Sequence, residues 1–176
     1  MSYSLQKYQS PIGLLYLVGD EHNLCGIIHE PMWPFFKERF ASPETRETPV
    51  LKATKHQLGE YFAGRRQTFD LPLRLNGTPF QKKVWSALQQ IPFGQTKSYK
   101  DQALAIKSPA AVRAVGRANG LNPISIVLPC HRVVGSNGAL TGYAGGLAAK
   151  QFLLSLEAEN MMTKAPASPH RVSEVV

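Results

Sequence analysis

The pattern of apolar and polar positions indicates two differently organised halves. In the first half, apolar runs at residues 14–18 and 23–29 are separated by a Gly19-Asp20 turn, which predicts a β-hairpin. Phe35, Phe36 and Phe40 then recur at helical spacing, and residues 42–49 predict a loop. Leu51, Leu58 and Phe62 predict a second helix, which is expected to end at Gly64. Residues 67–73 predict a short strand. The first half is therefore expected to be a small sheet with helices.

Helical periodicity predominates in the second half. Thr78 is placed to cap a helix that begins at Pro79 and carries an apolar stripe of Phe80, Val84, Trp85 and Leu88. Two short helical patterns follow at residues 99–106 and 109–119, and a last helix covers residues 147–157.

The Asn76-Gly77 turn marks the expected domain boundary. Residues 1–75 are predicted to form an N-terminal α/β domain, and residues 76–160 a mainly helical C-terminal domain. The last segment, residues 161–176, contains Pro, Ser and Ala and is predicted to be a disordered tail.

An apolar run at residues 124–128 predicts a strand or extended segment inside the core, and Pro129 is expected to stop regular pairing. Cys130 would then lie at the edge of the core with His131 beside it. A thiol becomes a nucleophile when a neighbouring base deprotonates it. An ordinary buried cysteine is the alternative, and adjacency alone does not separate the two.

The net charge of +8 is concentrated in the second half. Residues 1–75 hold nine Lys and Arg against eight Asp and Glu, whereas residues 76–160 hold nine against three. Such asymmetry favours a polyanionic partner, most often nucleic acid, although basic surfaces also occur in proteins that bind none.

The two short helical patterns fit a helix-turn-helix, with a plain helical hairpin as the alternative. Arg113 and Arg117 lie one turn apart on the second of them. That helix is otherwise small-sided, with alanines at Ala110, Ala111, Ala114 and Ala118. The concentrated charge favours DNA binding.

Two cysteines do not make a disulfide framework, and no signal peptide or membrane-spanning run is evident, so a cytoplasmic, membrane-free protein is expected. His22, Cys25 and His29 could suggest a metal site, but no second pair of ligands supports zinc. On a strand, Cys25 and His29 would share a face. We expect no metal.

Several motifs resemble the O6-alkylguanine-DNA alkyltransferases, also called methylated-DNA–protein-cysteine methyltransferases. The resemblance runs from about Ser10 to Glu157. The matching segments are Gly77-Thr78-Pro79-Phe80-Gln81 with Val84-Trp85, Ala110-Ala111-Val112-Arg113-Ala114-Val115-Gly116, Asn122-Pro123, Pro129-Cys130-His131-Arg132-Val133, Tyr143-Ala144-Gly145-Gly146, Tyr61-Phe62-Ala63-Gly64 and Phe69-Asp70-Leu71-Pro72-Leu73.

The resemblance implies a two-domain α+β protein, with a ribonuclease H-like N-terminal domain and a mainly helical C-terminal domain that carries a helix-turn-helix. It also implies a single-turnover DNA repair protein of bacterial type without a cofactor. Cys130 would accept the alkyl group, with His131 removing its proton through a water and Glu157 orienting His131. Tyr99 would protonate the guanine leaving group, and Asn122 would link the recognition helix to the active site. Arg113 would enter the duplex as a finger.

The resemblance also implies how the partner is bound. A monomer would bind double-stranded DNA in the minor groove, flip out an O6-alkylguanine and transfer its alkyl group, with O4-alkylthymine as a second candidate substrate. The remaining residues expected at the DNA are Ala110, Ala111, Ala114, Arg117, Thr96 and Ser98. Those expected around the alkyl group are Pro129, Ser125, Tyr143, Ala144, Gly145 and Val133.

This chain departs from the family pattern at a few positions. Asp20 and Cys25 stand at two places where zinc-containing relatives carry ligands, which again predicts no metal. Ser125 replaces a proline found in some relatives, so the hypothesis is a wider pocket that accepts groups larger than methyl.

The alternative functions are those of a non-catalytic binder of alkylated bases and of a thiol hydrolase. A non-catalytic binder of alkylated bases would lack the acceptor cysteine, which this chain has at Cys130. A thiol hydrolase would leave the basic half without a purpose.

Overall fold

The first half of the chain forms a four-stranded sheet in the computed structural model, which describes residues 2–161. Its strands are β1 (Ser4–Ser10), β2 (Gly13–Gly19), β3 (Leu24–His29) and β4 (Glu44–Thr45). The first three are antiparallel neighbours, and β4 pairs in parallel with β1, giving the order β3-β2-β1-β4. The hairpin predicted from the apolar runs is confirmed as β2 and β3.

A bulge in β3 overturns the expectation that Cys25 and His29 share a face. Val18 pairs with Gly26 but Gly19 pairs with Leu24, so Cys25 is the additional residue. Cys25 packs in an outer apolar cluster with Phe36 and Phe40, whereas Ile27 belongs to the main core. The alternation of strand faces is therefore interrupted before His29.

Two helices complete the first half: α1 (Trp33–Phe36), between the 3-10 turns Glu30–Met32 and Lys37–Arg39, and α2 (Pro49–Phe62). The Thr48 hydroxyl caps α2, and the helix ends before Gly64, as predicted.

The strand predicted at residues 67–73 is wrong, because the pairing there is limited to an isolated bridge between Leu73 and Leu24. The Gln57 side chain takes the place of a strand partner: its Nε2 donates to the Asp70 carbonyl at 2.8 Å and its Oε1 accepts from the Asp70 amide at 2.9 Å.

The second half is mainly helical, as predicted. Its elements are α3 (Pro79–Leu88), β5 (Lys97–Ser98), α4 (Tyr99–Ala105), α5 (Val112–Gly120), the 3-10 turn Cys130–Arg132, β6 (Val133–Val134) and α6 (Leu147–Met161). Thr78 caps α3 with Gln81 in a capping box, and β5 pairs in parallel with β6.

Two helix boundaries differ from the predictions. The helix expected from Pro109 begins at Val112, because the Ala111 amide closes a turn on the Ser108 carbonyl at 2.9 Å. The last helix continues past Glu157 to Met161, so the first residue of the predicted disordered tail is helical. Residues 162–176, the rest of that tail, lie outside the described residues.

The apolar run at 124–128 is buried but is a turn rather than the predicted strand. Ile124 bridges to Ile27 of β3, and the chain then reverses, with the Leu128 amide donating to the Ile124 carbonyl at 2.9 Å. Ile126 adopts a positive φ of 74° within this reversal. Hydrophobic periodicity cannot separate a short buried strand from a buried turn.

This turn lies in an apolar core that both halves share. Leu15, Ile27 and Leu58 from the first half pack in the same cluster as Trp85, Ile124, Val133 and Leu153 from the second. Within residues 2–161, no helix is long and apolar enough to cross a membrane.

Candidate active site

Cys130 begins the 3-10 turn that follows the buried reversal, and only 6% of its surface is exposed. Its amide donates to the Leu128 carbonyl at 2.8 Å. The Asn122 Nδ2 donates both to the Cys130 Sγ at 3.3 Å and to the Leu128 carbonyl at 2.8 Å, while its Oδ1 accepts from the Ile124 amide at 3.0 Å. One buried amide therefore holds the reversal and touches the sulfur.

Replacing Asn122 with Ala is expected to lower the free energy of unfolding by about 1–3 kcal/mol, because buried partners lose their hydrogen bonds. It should also slow alkylation of Cys130 by a neutral reagent such as iodoacetamide, since a donor to the thiolate is lost. Urea unfolding and peptide mass spectrometry measure the two effects. The exposed Asn76→Ala is the control. Unchanged stability together with unchanged Cys130 reactivity would contradict this role.

Glu157 of α6 is fully buried and accepts hydrogen bonds from three side chains and one amide. Its Oε1 lies 2.7 Å from the His131 Nε2, 2.7 Å from the Tyr61 hydroxyl and 2.9 Å from the Arg132 Nη2. Its Oε2 accepts from the Arg132 Nε at 2.9 Å and the Gly94 amide at 3.1 Å. Both oxygens are thus satisfied by donors.

This arrangement determines the protonation states. Burial raises the pKa of Glu157, but the neighbouring His131 and Arg132 outweigh it and hold that pKa well below its usual range. Burial also lowers the pKa of His131, despite the opposing effect of Glu157. A neutral His131 donates from Nε2 to the carboxylate, which leaves the lone pair on Nδ1. The Nδ1 atom makes no hydrogen bond within the described part of the chain.

The Cys130 thiol is held in its protonated form at rest. Burial raises its pKa, while the Asn122 hydrogen bond and the positive charge of Lys150 act in the opposite direction. A buried thiol with a raised pKa needs a base in order to react. The neutral His131, with Nδ1 unprotonated, is a base of the required kind in the adjacent position.

Lys150 is a second buried charge that the sequence analysis missed. Its Nζ donates to the carbonyls of Val133 at 2.6 Å, Thr141 at 3.0 Å and Gly142 at 3.4 Å. It also lies 5.8 Å from the centre of the Tyr99 ring. Lys150 therefore ties α6 to the strand after Cys130 and to the loop that carries Tyr143.

A cavity of about 280 Å³ opens above Cys130. It is lined by Met32, Tyr99, Gly116, Asn119, Gly120, Cys130, Gly142, Tyr143 and Ala144. The Tyr99 hydroxyl donates to the Thr141 carbonyl at 3.0 Å, which places the phenol at the mouth of the cavity beside the glycine-rich loop. Met32 shows that the first half contributes to the wall.

Other residues predicted around the alkyl group lie close to this cavity but not on its lining. Pro129 and Val133 are buried on either side of the 3-10 turn, and Val133 pairs with Lys97. Ser125 is buried and lies close enough to the Tyr143 phenol to oppose the rise in its pKa. Gly145 packs against His29, which had been considered only as a metal ligand.

His29 is expected to make the protein less stable in weak acid. Burial, with a contribution from His131, lowers its pKa from 6.5 to about 4. The unfolded chain binds this proton below about pH 6.5 and the folded chain only below about pH 4, so stability is lost as the pH falls through this window.

The loss assigned to His29 is about 2 kcal/mol between pH 7 and pH 5. Urea unfolding of the wild type and His29→Gln at both pH values measures it, because glutamine does not titrate. An equal loss in both proteins would contradict the assignment.

The helix-turn-helix elements α4 and α5 present the basic surface. Arg113, Arg117, Ala110 and Ala114 are exposed, Ala111 is half-buried and Thr96 is exposed just before β5. The Ser98 hydroxyl, expected at the DNA, caps α4 by accepting from the Asp101 amide at 3.0 Å. Behind this surface, Gln102 and Asn119 exchange hydrogen bonds at 3.1 and 2.7 Å and fix the two helices together.

No cluster of three or more His, Cys, Asp and Glu within residues 2–161 is placed to hold a metal ion. Cys25 instead lies 3.8 Å from the Asp20 carboxylate, which is itself paired with Arg74 at 2.8 Å.

Family models described as the 6-O-methylguanine DNA methyltransferase ribonuclease-like domain and DNA-binding domain match residues 3–75 and 79–159. The constitutive methylated-DNA–protein-cysteine methyltransferase of Bacillus subtilis is 50% identical over 85% of this chain and 92% of its own length. A protein of the same name from Methanosarcina barkeri is 46% identical over 87% and 96%.

Solved structures of the same kind of protein have a similar fold. The O6-methylguanine methyltransferase of Mycobacterium tuberculosis superposes with a TM-score of 0.78 at 42% identity, over 94% of this chain and 96% of that one. Its complex with DNA gives a TM-score of 0.77 at 41% identity, over 91% and 94%. The fold is thus the two-part α+β architecture expected from the sequence, and the chain belongs to the 6-O-methylguanine DNA methyltransferase family.

Proposed function

We propose that this protein repairs alkylated DNA directly, by transferring the alkyl group from the O6 atom of guanine to its own Cys130. The observation that carries the proposal is that Cys130 lines a cavity beside a basic helix-turn-helix, while the adjacent His131 is hydrogen-bonded to the buried Glu157 carboxylate. Family membership supports the same reaction.

The chemistry follows from the protonation states of the site. His131 takes the Cys130 proton through a water at Nδ1, and the Glu157 carboxylate stabilises the resulting imidazolium. The thiolate attacks the alkyl carbon, a carbon–sulfur bond forms, and the bond from that carbon to guanine O6 breaks. Tyr99 supplies a proton to N3 of the leaving guanine, because an anionic purine leaves poorly.

The product is a thioether on Cys130, which is chemically inert. Each molecule is therefore expected to react only once. We further propose that the protein needs no cofactor and acts as a monomer in the bacterial cytoplasm.

DNA would be bound through the surface of α5. The nucleotide must leave the base stack, at a cost of a few kcal/mol, to reach a cavity of this kind. Small exposed alanines at 110 and 114 allow the helix to approach the backbone closely, and Arg113 is long enough to occupy the gap. We assign this contact to the minor groove, where architectural proteins insert side chains between base steps.

A peptide mass measurement tests the proposal. The protein is incubated with duplex DNA containing O6-methylguanine and digested with trypsin, which releases residues 118–132 as one peptide. We expect that peptide to gain the mass of one CH₂ group, while Cys25, the other cysteine, serves as an internal control and stays unmodified. Cys130→Ser should abolish the gain. Tight DNA binding without an adduct would instead favour a non-catalytic binder of damaged bases.

A further inference from the structure

His29 reaches the acceptor site from the sheet of the first half. Strand β3 is hydrogen-bonded to the segment that precedes Cys130. The Ile27 amide donates to the Pro123 carbonyl at 2.9 Å, and the Ser125 amide donates to the Ile27 carbonyl at 3.1 Å. His29 lies two residues beyond Ile27, so its side chain leaves the strand on the same side. Only 2% of its surface is exposed.

The partner of His29 is Tyr143. The His29 Nε2 lies 3.1 Å from the Tyr143 hydroxyl, and the two rings meet edge to face with centroids 5.1 Å apart. The loop of Tyr143 also lies flat against the imidazole: a Cβ atom at Gly145 would come within 2.6 Å of the His29 Cε1 and Nδ1. The contact therefore involves the side chain and the backbone of the loop.

Both partners are uncharged. Burial lowers the pKa of His29 to about 4, and burial raises the pKa of Tyr143 well above its usual value. A neutral imidazole and a phenol form an ordinary hydrogen bond. The hydroxyl end of Tyr143 is thus held by His29, which lies 114 residues away in the chain.

Tyr143 lines the cavity above Cys130, whereas His29 and Ser125 do not. Any influence of His29 on the shape of the cavity must therefore act through the position of the Tyr143 ring. A ring tied at its hydroxyl cannot swing aside for a large group, and pockets discriminate by size only when their walls do not yield.

We propose that His29 is a positioning residue, which fixes the Tyr143 wall of the cavity and so limits the size of the alkyl group that Cys130 accepts. The inference rests on the proposed alkyl transfer.

The test compares two free-base substrates, O6-methylguanine and O6-benzylguanine, with the full chain. Rate constants for Cys130 alkylation are measured by peptide mass spectrometry. We expect His29→Leu to raise the ratio of the benzyl to the methyl rate constant by about fivefold or more, because the wall can yield. Tyr143→Phe should shift the ratio in the same direction. The double variant should shift it no further, since both substitutions remove the same hydrogen bond between His29 and Tyr143.

Two further variants separate positioning from general damage. His29→Gln offers an amide that can bond the phenol, so it should return the ratio towards that of the wild type. His22→Leu changes an exposed histidine of the same hairpin and should keep the wild-type ratio. If His29→Leu does not fold, the smaller His29→Val takes its place in every comparison, because valine also cannot hydrogen-bond the phenol.

Ratios within about twofold of the wild type in both His29→Leu and Tyr143→Phe would overturn the inference. So would a His29→Gln variant as altered as His29→Leu. These outcomes leave the proposed function intact, because they require a wild type that alkylates Cys130. A wild type that forms no Cys130 adduct with methylated DNA would overturn the proposed function itself.

Discussion

Glu157→Gln is expected to slow alkyl transfer by about 10²- to 10⁴-fold, the range found when a positioned base or its orienting carboxylate is lost. The substitution removes the charge that stabilises a protonated His131. Glutamine also cannot satisfy its neighbours in either orientation. At Oε1 its NH₂ group would face three donors, and at Oε2 it would face the Arg132 Nε and the Gly94 amide.

The same change should destabilise the fold. Arg132 is 7% exposed, and its guanidinium would keep the Ile91 carbonyl at 2.7 Å but lose its counter-charge. Breaking a buried pair by removing one partner costs about 3–5 kcal/mol. Urea unfolding gives this loss, and single-turnover kinetics at a temperature where circular dichroism shows folded protein give the rate.

Matched variants separate the two effects of Glu157. Glu159→Gln changes an exposed carboxylate on the same helix and should alter neither measurement. Tyr61→Phe removes one donor to Glu157 but keeps the charge, so its rate loss should be far smaller. A folded Glu157→Gln protein that transfers methyl groups at the wild-type rate would contradict the proposed role.

Arg113→Ala is expected to slow repair of duplex DNA by about 10- to 100-fold, because filling the gap in the stack offsets part of the few kcal/mol needed to flip a base. Reaction with free O6-methylguanine base should change little, since no stack is opened. Arg113 is exposed on the first turn of α5, so its replacement is expected to affect contact with the duplex and not the chemistry at Cys130.

Arg117 provides the comparison for Arg113, since it lies one turn further along the same exposed face. Arg117→Ala should weaken DNA binding and reduce the salt dependence of binding, as the loss of a phosphate contact does. Its rate loss should disappear at saturating DNA. Equal losses on duplex and free base in Arg113→Ala would refute the finger role.

The sequence predicted those parts of the fold that depend on local signals. Thr78 and Pro79 predicted the start of α3, and the apolar runs predicted the β2–β3 hairpin. The strand predicted from the apolar run at 124–128 was wrong, because these residues are buried by contacts with β3 and do not form a regular strand pairing themselves. Periodicity reports burial more reliably than it reports backbone path.

The site was predicted where motif resemblance supplied the residues, and missed where contacts are distant in sequence. Tyr61 and Arg132 reach Glu157 from α2 and the 3-10 turn, and no local pattern links these positions. Lys150 left a usable signal, because it shares one helical stripe with the buried Leu153 and Glu157. His29 continues the inward alternation of Ile27, but its partner lies 114 residues away.

The most direct test of the account is a count of methyl groups removed. A fixed amount of protein is incubated with excess duplex DNA that contains O6-methylguanine, and repaired guanine is quantified until the reaction stops. Alkyl transfer to Cys130 predicts a plateau at one methyl group per active chain, matched by the amount of methylated Cys130 peptide. Continued removal beyond one methyl group per chain, or repair without methylated Cys130, would contradict the account.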